Sequence, residues 1–137
     1  MQRAETKTRA RALQLLYAWE LQGRPPIRQV AYDLLEWSEG RLRRYETAEQ
    51  LAVTVSIEAP RLDEVISNAA DNWRWERIGV IERNILRLAL LELERAEVPP
   101  RVTISEAVKL AHWFAGPKAP AFVNGVLDRL ARDNDLL

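Results

Sequence analysis

Near the end of the chain, a lysine, a phenylalanine and an arginine are spaced four and seven residues apart, as on one face of a helix; they are Lys118, Phe122 and Arg129. Lysine and arginine bind phosphate groups, and an aromatic ring stacks on an unpaired base, so the combination is typical of single-stranded RNA binding. A second basic cluster lies at the start of the chain and comprises Arg3, Lys7, Arg9 and Arg11. If the two clusters lie side by side, they form one surface for RNA. The first cluster could equally be an ordinary exposed helix start.

The dipeptide Asn124-Gly125 stands between Phe122 and Arg129. Asn-Gly is a strong signal for a hairpin turn, but apolar residues recur around it at intervals of three and four, which indicates a helix. These apolar residues are Phe122, Val123, Val126, Leu127 and Leu130. A glycine inside a helix costs about 1 kcal/mol relative to alanine. Gly125 therefore needs a reason, which is either close packing within the protein or the approach of a ligand to bare backbone.

Composition restricts the chemistry that remains open to this chain. The 137 residues include no cysteine and a single histidine, His112, so disulfides and thiolate metal sites are excluded. A zinc site or a serine–histidine triad would need neighbours that the sequence lacks, and no glycine-rich phosphate loop is present. We therefore expect neither catalysis nor a bound metal.

Hydropathy and charge predict a soluble protein with locally concentrated charge. Apolar runs are broken well before the roughly 20 residues of a membrane span, and no hydrophobic signal core follows the first arginines. We expect a cytoplasmic protein with no membrane contact. The net charge is zero, yet residues 1–11 and 98–132 each carry +3, whereas residues 58–97 carry −3. This distribution permits an anionic ligand at one surface and a cationic partner at another.

The spacing of apolar residues predicts an all-helical single domain without strands. About seven helices are expected, at about 5–22, 27–37, 40–58, 61–73, 80–95, 105–114 and 121–133. Ser38 is expected to cap the third helix, and Pro60 to separate the third from the fourth. Thr103 and Glu106 are expected to form a capping box at the start of the sixth helix. Pro120 is tolerated in the first turn of the last helix.

Aromatic and acidic residues outside the basic clusters have two possible roles. The spacing of the five tryptophans predicts core and rim positions rather than stacking platforms; they are Trp19, Trp37, Trp73, Trp75 and Trp113. Four further residues could serve either internal packing or a protein-binding face, namely Tyr17, Glu20, Leu21 and Glu82.

Several segments carry a family pattern. They begin at Asn84-Ile85-Leu86-Arg87, Ser105-Glu106-Ala107-Val108 and Phe122-Val123-Asn124-Gly125, and an arginine-containing first helix holds Arg9-Ala10-Arg11-Ala12-Leu13. Together they resemble the NusB family of transcription antitermination factors, over essentially the whole chain. The resemblance implies two packed three-helix bundles, at about 1–58 and 60–137, with no cofactor and no catalysis.

The resemblance also implies a function in transcription. Members of the NusB family bind the boxA element of nascent ribosomal or phage RNA together with a small-subunit ribosomal protein, NusE. The pair then joins RNA polymerase and other Nus factors. With the basic residues noted above, the implied RNA-binding residues are Arg3, Lys7, Arg9, Arg11, Lys118, Phe122, Asn124, Gly125 and Arg129. Tyr17, Leu21 and Glu82 match the face that the family presents to its ribosomal-protein partner, and Glu20 lies beside them in the sequence.

Two alternatives stay open. NusB-like domains also occur fused to ribosomal RNA cytosine methyltransferases, so the chain could be an accessory domain, although it has no cysteine nucleophile. The other alternative is a helical adaptor that forms a homodimer through the partner-binding face.

Overall fold

The computed structural model describes residues 4–35 and 46–136 of the chain. Six α-helices account for most of these residues, and no strand occurs among them. We label the helices α1 (Ala4–Leu21), α2 (Ile27–Leu35), α3 (Glu46–Ala69), α4 (Val80–Arg95), α5 (Pro100–Phe114) and α6 (Ala119–Asp133). The all-helical prediction is confirmed. Trp37 and the predicted cap Ser38 lie outside the described residues.

The chain divides into two compact units, Met1–Glu58 and Ala59–Leu137. In the first unit α1 packs against α2. The apolar spacing of α1 predicts a wide buried stripe, of which Leu15, Leu16 and Trp19 are buried, whereas Tyr17 and Leu21 are exposed. Gly23 lies two residues after the end of α1 and has φ of +83°. This left-handed conformation suits glycine and ends the helix at the predicted place.

In the second unit α4, α5 and α6 each contact the other two. Helix α4 is buried at every position from Asn84 to Leu91, in agreement with its apolar sequence. Ion pairs connect it to α3. The exposed pair joins Arg61 to Glu94, with 2.7 Å between nitrogen and oxygen.

The second ion pair is buried and centres on Arg87. Its guanidinium is fully inaccessible and donates Nε to Oδ1 of Asp63 at 2.6 Å and Nη2 to Oδ2 at 2.9 Å. Nη1 donates to Oδ1 of Asn84 at 2.8 Å, and the amide of Asn84 donates to the carbonyl of Val80 at 2.9 Å. Because a buried charge is stable only when it is paired and hydrogen-bonded, this network ties α4 to α3.

The expected break at Pro60 is wrong. Helix α3 runs without interruption from Glu46 to Ala69, with Pro60 inside it, and the described helices number six rather than about seven. Proline removes one backbone hydrogen bond and costs about 3 kcal/mol inside a helix. The residues around it, Val55, Ala59, Leu62 and Ile66, recur at helical spacing and are completely buried. Burial of this face outweighs the local cost of the proline.

The expected capping box is also wrong. Helix α5 begins at Pro100, so Thr103 lies inside its first turns rather than before them. The Thr103 hydroxyl is buried and has no hydrogen-bond partner among the described residues, while Glu106 accepts a bond from Lys109 at 3.4 Å. Pro100, at the first helical position, determines where α5 begins. Pro120 lies in the first turn of α6, as predicted.

No helix within the described ranges combines the length and the apolar character that crossing a membrane requires.

Candidate nucleic-acid interface

One side of α6 carries most of the residues that the sequence suggested for RNA at the end of the chain. Lys118, Phe122, Gly125 and Arg129 are spaced by four, three and four residues, so they fall on the same face of the helix. This face lines a groove of about 560 Å³ whose opposite wall is formed by the end of α3 and the turn after it, residues 69–73. We call it the α6 groove. All of its lining residues belong to the second unit.

The turn after α3 brings a tryptophan to Phe122. The backbone N–H of Trp73 donates to the carbonyl of Ala70 at 2.9 Å, which closes the turn. The rings of Trp73 and Phe122 meet edge to face, with centroids 4.8 Å apart and planes inclined by 61°. Trp73 is 55% exposed, whereas Phe122 is partly buried. The rim position was expected for a tryptophan, but nothing in the spacing indicates that Trp73 and Phe122 meet.

The two cations of the α6 groove differ in their partners. Arg129 donates Nη1 to Oδ2 of Asp71 at 2.8 Å, and its Nε lies 3.6 Å from Oδ2 of Asp133. The hydrogen bond to Asp71, followed by the charge of Asp71 and that of Asp133, raises the pKa of Arg129 above its usual value. Lys118 is exposed, and no carboxylate of the described residues pairs with it. A phosphate could therefore contact Lys118 directly, whereas Arg129 is already paired with Asp71 and Asp133.

Gly125 has no packing partner. A Cβ atom at this position would meet nothing within 4 Å among the described residues. Close packing within the protein, one of the two explanations that the sequence left open, is therefore not supported for the described part of the chain. The exposed backbone of α6 at Gly125 faces the groove, where a ligand can approach it.

Asn124 lies on another side of α6. It lines a second groove, of about 840 Å³, between α5 and α6, together with Lys109, Trp113, Asp128 and Arg132. Asp128 accepts a hydrogen bond from Arg132 at 2.8 Å and thereby raises the pKa of Arg132. The structure does not bring Asn124 together with Phe122.

The basic residues of α1 differ in their exposure. Lys7 is exposed and Arg11 is partly buried, but Arg9 is 8% exposed and lies among buried residues. Arg3 lies outside the described residues. These side chains belong to the first unit. Among the described basic residues of α1, Lys7 is the most exposed to a ligand.

The residues suggested for a protein partner divide between the two units. Tyr17 and Leu21, one turn apart on α1, are 40% and 60% exposed. Between them Glu20 accepts a bond from Arg24 at 3.3 Å. In the second unit the side chain of Glu82 folds back over Gly79, which precedes α4. A carboxylate at that place is favourable because it faces the positive end of the helix dipole.

Within residues 4–35 and 46–136, no three His, Cys, Asp or Glu side chains are grouped closely enough to hold a metal ion.

Comparison with known proteins decides the family. The sequence model of the NusB family matches residues 6–132. The chain belongs to the NusB family. The resemblance inferred from the sequence segments is thereby confirmed, and it extends from the first turn of α1 almost to the end of α6.

Individual NusB proteins agree with this assignment. The transcription antitermination protein NusB of Sorangium cellulosum (strain So ce56) is 41% identical over 133 residues, which cover 95% of this chain and 93% of the relative. Among solved structures, NusB from T. maritima has a TM-score of 0.81 at 28% identity and covers 97% of this chain and 94% of its own. A crystal structure of the antitermination factors NusB and NusE in complex with double-stranded RNA matches with a TM-score of 0.73 at 29% identity, covering 97% and 99%.

Proposed function

We propose that this protein is a transcription antitermination factor that binds boxA RNA of nascent ribosomal transcripts together with the ribosomal protein NusE. Through this pair it joins RNA polymerase and the other Nus factors. The observation that carries the proposal is the α6 groove, where an open cation, an aromatic pair and bare helix backbone lie on one face. The similarity to a structure of NusB and NusE with RNA supports the same ligand class.

Each part of the α6 groove has a role in this proposal. Lys118 and Arg129 contact phosphates, which supply most of the affinity for RNA. Phe122 stacks on an unpaired base. Gly125 lets the sugar or base approach the helix without meeting a side chain. Lys7 and Arg11 on α1 add phosphate contacts, and Arg3, Arg9 and Asn124 stay proposed contacts as well.

The exposed pair Tyr17 and Leu21 is proposed as the centre of the NusE contact, and Glu20 and Glu82 are proposed as further contact residues. An aromatic ring and an apolar side chain exposed one turn apart are typical of a protein-binding face. The acidic residues suit a basic ribosomal protein by charge.

The proposed role is binding rather than catalysis, and the proposed compartment is the cytoplasm, where nascent transcripts are made. The relatives support a binding role because they are named for antitermination.

The proposal is tested with Phe122→Ala and a matched control, Phe114→Ala. Both phenylalanines meet a tryptophan edge to face, but Phe114 lies at the end of α5 against Trp113. Fluorescence anisotropy of a labelled boxA RNA in the presence of NusE measures affinity, and thermal unfolding confirms that each variant is folded. We expect Phe122→Ala to bind roughly tenfold more weakly and Phe114→Ala to bind like the wild type. Normal affinity of a folded Phe122→Ala variant contradicts the proposal.

A further inference from the structure

We infer that Trp73 is a second aromatic contact for RNA, which receives a base next to the one on Phe122. The inference rests on the proposed function and adds to it a residue outside α6. The planes of the two rings are inclined by 61°, and their centroids lie 4.8 Å apart. Each ring therefore holds the other in place, and the two rings present differently oriented faces to a ligand.

The exposure of Trp73 is not explained by the fold. A tryptophan stabilises a turn by burying its large apolar ring, so a tryptophan with that role has most of its ring buried. Trp75, two residues later, does this. It is partly buried, and the guanidinium groups of Arg83 and Arg87 lie 5.6 Å from its ring centroid. Trp73 leaves more than half of its surface, 55%, open to solvent.

The surroundings of Trp73 favour RNA over an apolar partner. The α6 groove holds Lys118 and Arg129 beside the two rings, which combines stacking surfaces with cations for the flanking phosphates. The turn also keeps the ring in position, since the backbone N–H of Trp73 is hydrogen-bonded to Ala70. Little ordering of Trp73 is then needed when a base stacks on it.

Trp113 provides a matched control for Trp73. It is also an exposed tryptophan that meets a phenylalanine edge to face, with a centroid distance of 6.4 Å to Phe114. It lies in the second groove, between α5 and α6. A general effect of removing an exposed indole ring would appear at both tryptophans, whereas a base-stacking role predicts an effect at Trp73 alone.

The test uses Trp73→Leu, Trp73→Phe and Trp113→Leu in the full chain with NusE and labelled boxA RNA. Leucine keeps apolar bulk against Phe122 but has no stacking face, and phenylalanine keeps the face. We expect Trp73→Leu to weaken binding roughly tenfold, Trp73→Phe to retain most of the affinity, and Trp113→Leu to bind like the wild type. Unfolding in urea shows whether each variant is folded.

Three outcomes would overturn the inference: wild-type affinity of Trp73→Leu, equal losses in Trp73→Leu and Trp73→Phe, or equal losses at Trp73 and Trp113. These outcomes are distinct from failure of the proposed function. If the wild type binds RNA and Phe122→Ala weakens that binding while Trp73→Leu does not, only the role of Trp73 is wrong. If the wild type does not bind boxA RNA even with NusE, the proposed function itself is wrong.

Discussion

Asp71 and Arg129 form an ion pair across the α6 groove, with a nitrogen–oxygen distance of 2.8 Å, although both side chains are about half exposed. The carboxylate of Asp71 is therefore paired with Arg129, the arginine that the proposed function assigns to a phosphate. RNA that binds in the groove has to displace Asp71 or tolerate its charge.

We predict that Asp71→Asn raises the affinity for boxA RNA roughly two- to fivefold, because an exposed ion pair is weak but its carboxylate also repels phosphate. Asp128→Asn is the control. It removes the same charge from a pair of the same length, Asp128 with Arg132 at 2.8 Å, but in the second groove. Anisotropy titrations at low salt compare the two variants. Equal gains in affinity would show that net charge alone is responsible, and unchanged affinity of Asp71→Asn would contradict the placement of RNA beside Arg129.

Gly125→Ala is predicted to separate stability from binding. Since a Cβ atom at this position meets nothing within 4 Å, the variant should gain up to about 1 kcal/mol in the free energy of unfolding. The same methyl group projects into the α6 groove and should weaken RNA binding. Urea unfolding and anisotropy measure the two effects.

Gly116→Ala is the control for this prediction, because Gly116 has φ of +93°. Alanine there should lose about 1 to 2 kcal/mol. If Gly125→Ala binds RNA like the wild type, ligand approach does not explain the glycine.

Arg87→Met is predicted to lower the free energy of unfolding by about 3 to 5 kcal/mol, because it leaves the largely buried carboxylate of Asp63 without its partner. Arg61→Met also breaks an ion pair between α3 and α4, but that pair is exposed, and the expected loss is below about 1 kcal/mol. Urea unfolding of both variants checks the difference. Similar losses would mean that burial of the Arg87 network is not what holds α4 to α3.

Leu21→Ser is predicted to weaken the complex with NusE while leaving the free energy of unfolding unchanged, since the side chain is 60% exposed. The matched control is Leu34→Ser, which alters an exposed leucine of α2 in the same unit. Titration calorimetry with NusE compares their affinities. A loss at Leu34 that equals the loss at Leu21 would place the NusE contact elsewhere.

Apolar spacing predicted the helices well because each helix buries one face. The Asn124-Gly125 segment is the clearest example: spacing favoured a helix over a hairpin turn, and α6 is continuous through it. Spacing failed where a local signal competed with burial or with a second local signal. Pro60 was expected to end a helix, but the buried face around it maintains α3. Thr103 resembled a cap, but Pro100 starts α5 earlier.

The candidate site was predictable only in part. Lys118, Phe122, Gly125 and Arg129 share a face because they share a helix, and helical geometry alone places them. Asp71 and Trp73 reach the same groove through the turn after α3, about fifty residues earlier in the chain. No sequence spacing encodes such a tertiary contact. Arg9 illustrates a related limit, because the basic cluster at the start of the chain does not indicate which of its members is largely buried, and Arg9 is 8% exposed.

The most direct test of the account is fluorescence anisotropy of labelled boxA RNA against this protein, with and without NusE, at about 50 mM and about 200 mM salt. We predict tight binding that NusE enhances and that weakens steeply with salt, because basic side chains of the protein and its partner displace the cations condensed on the RNA phosphates. Absence of binding by the folded protein with NusE present, at the lower salt concentration, would contradict the account.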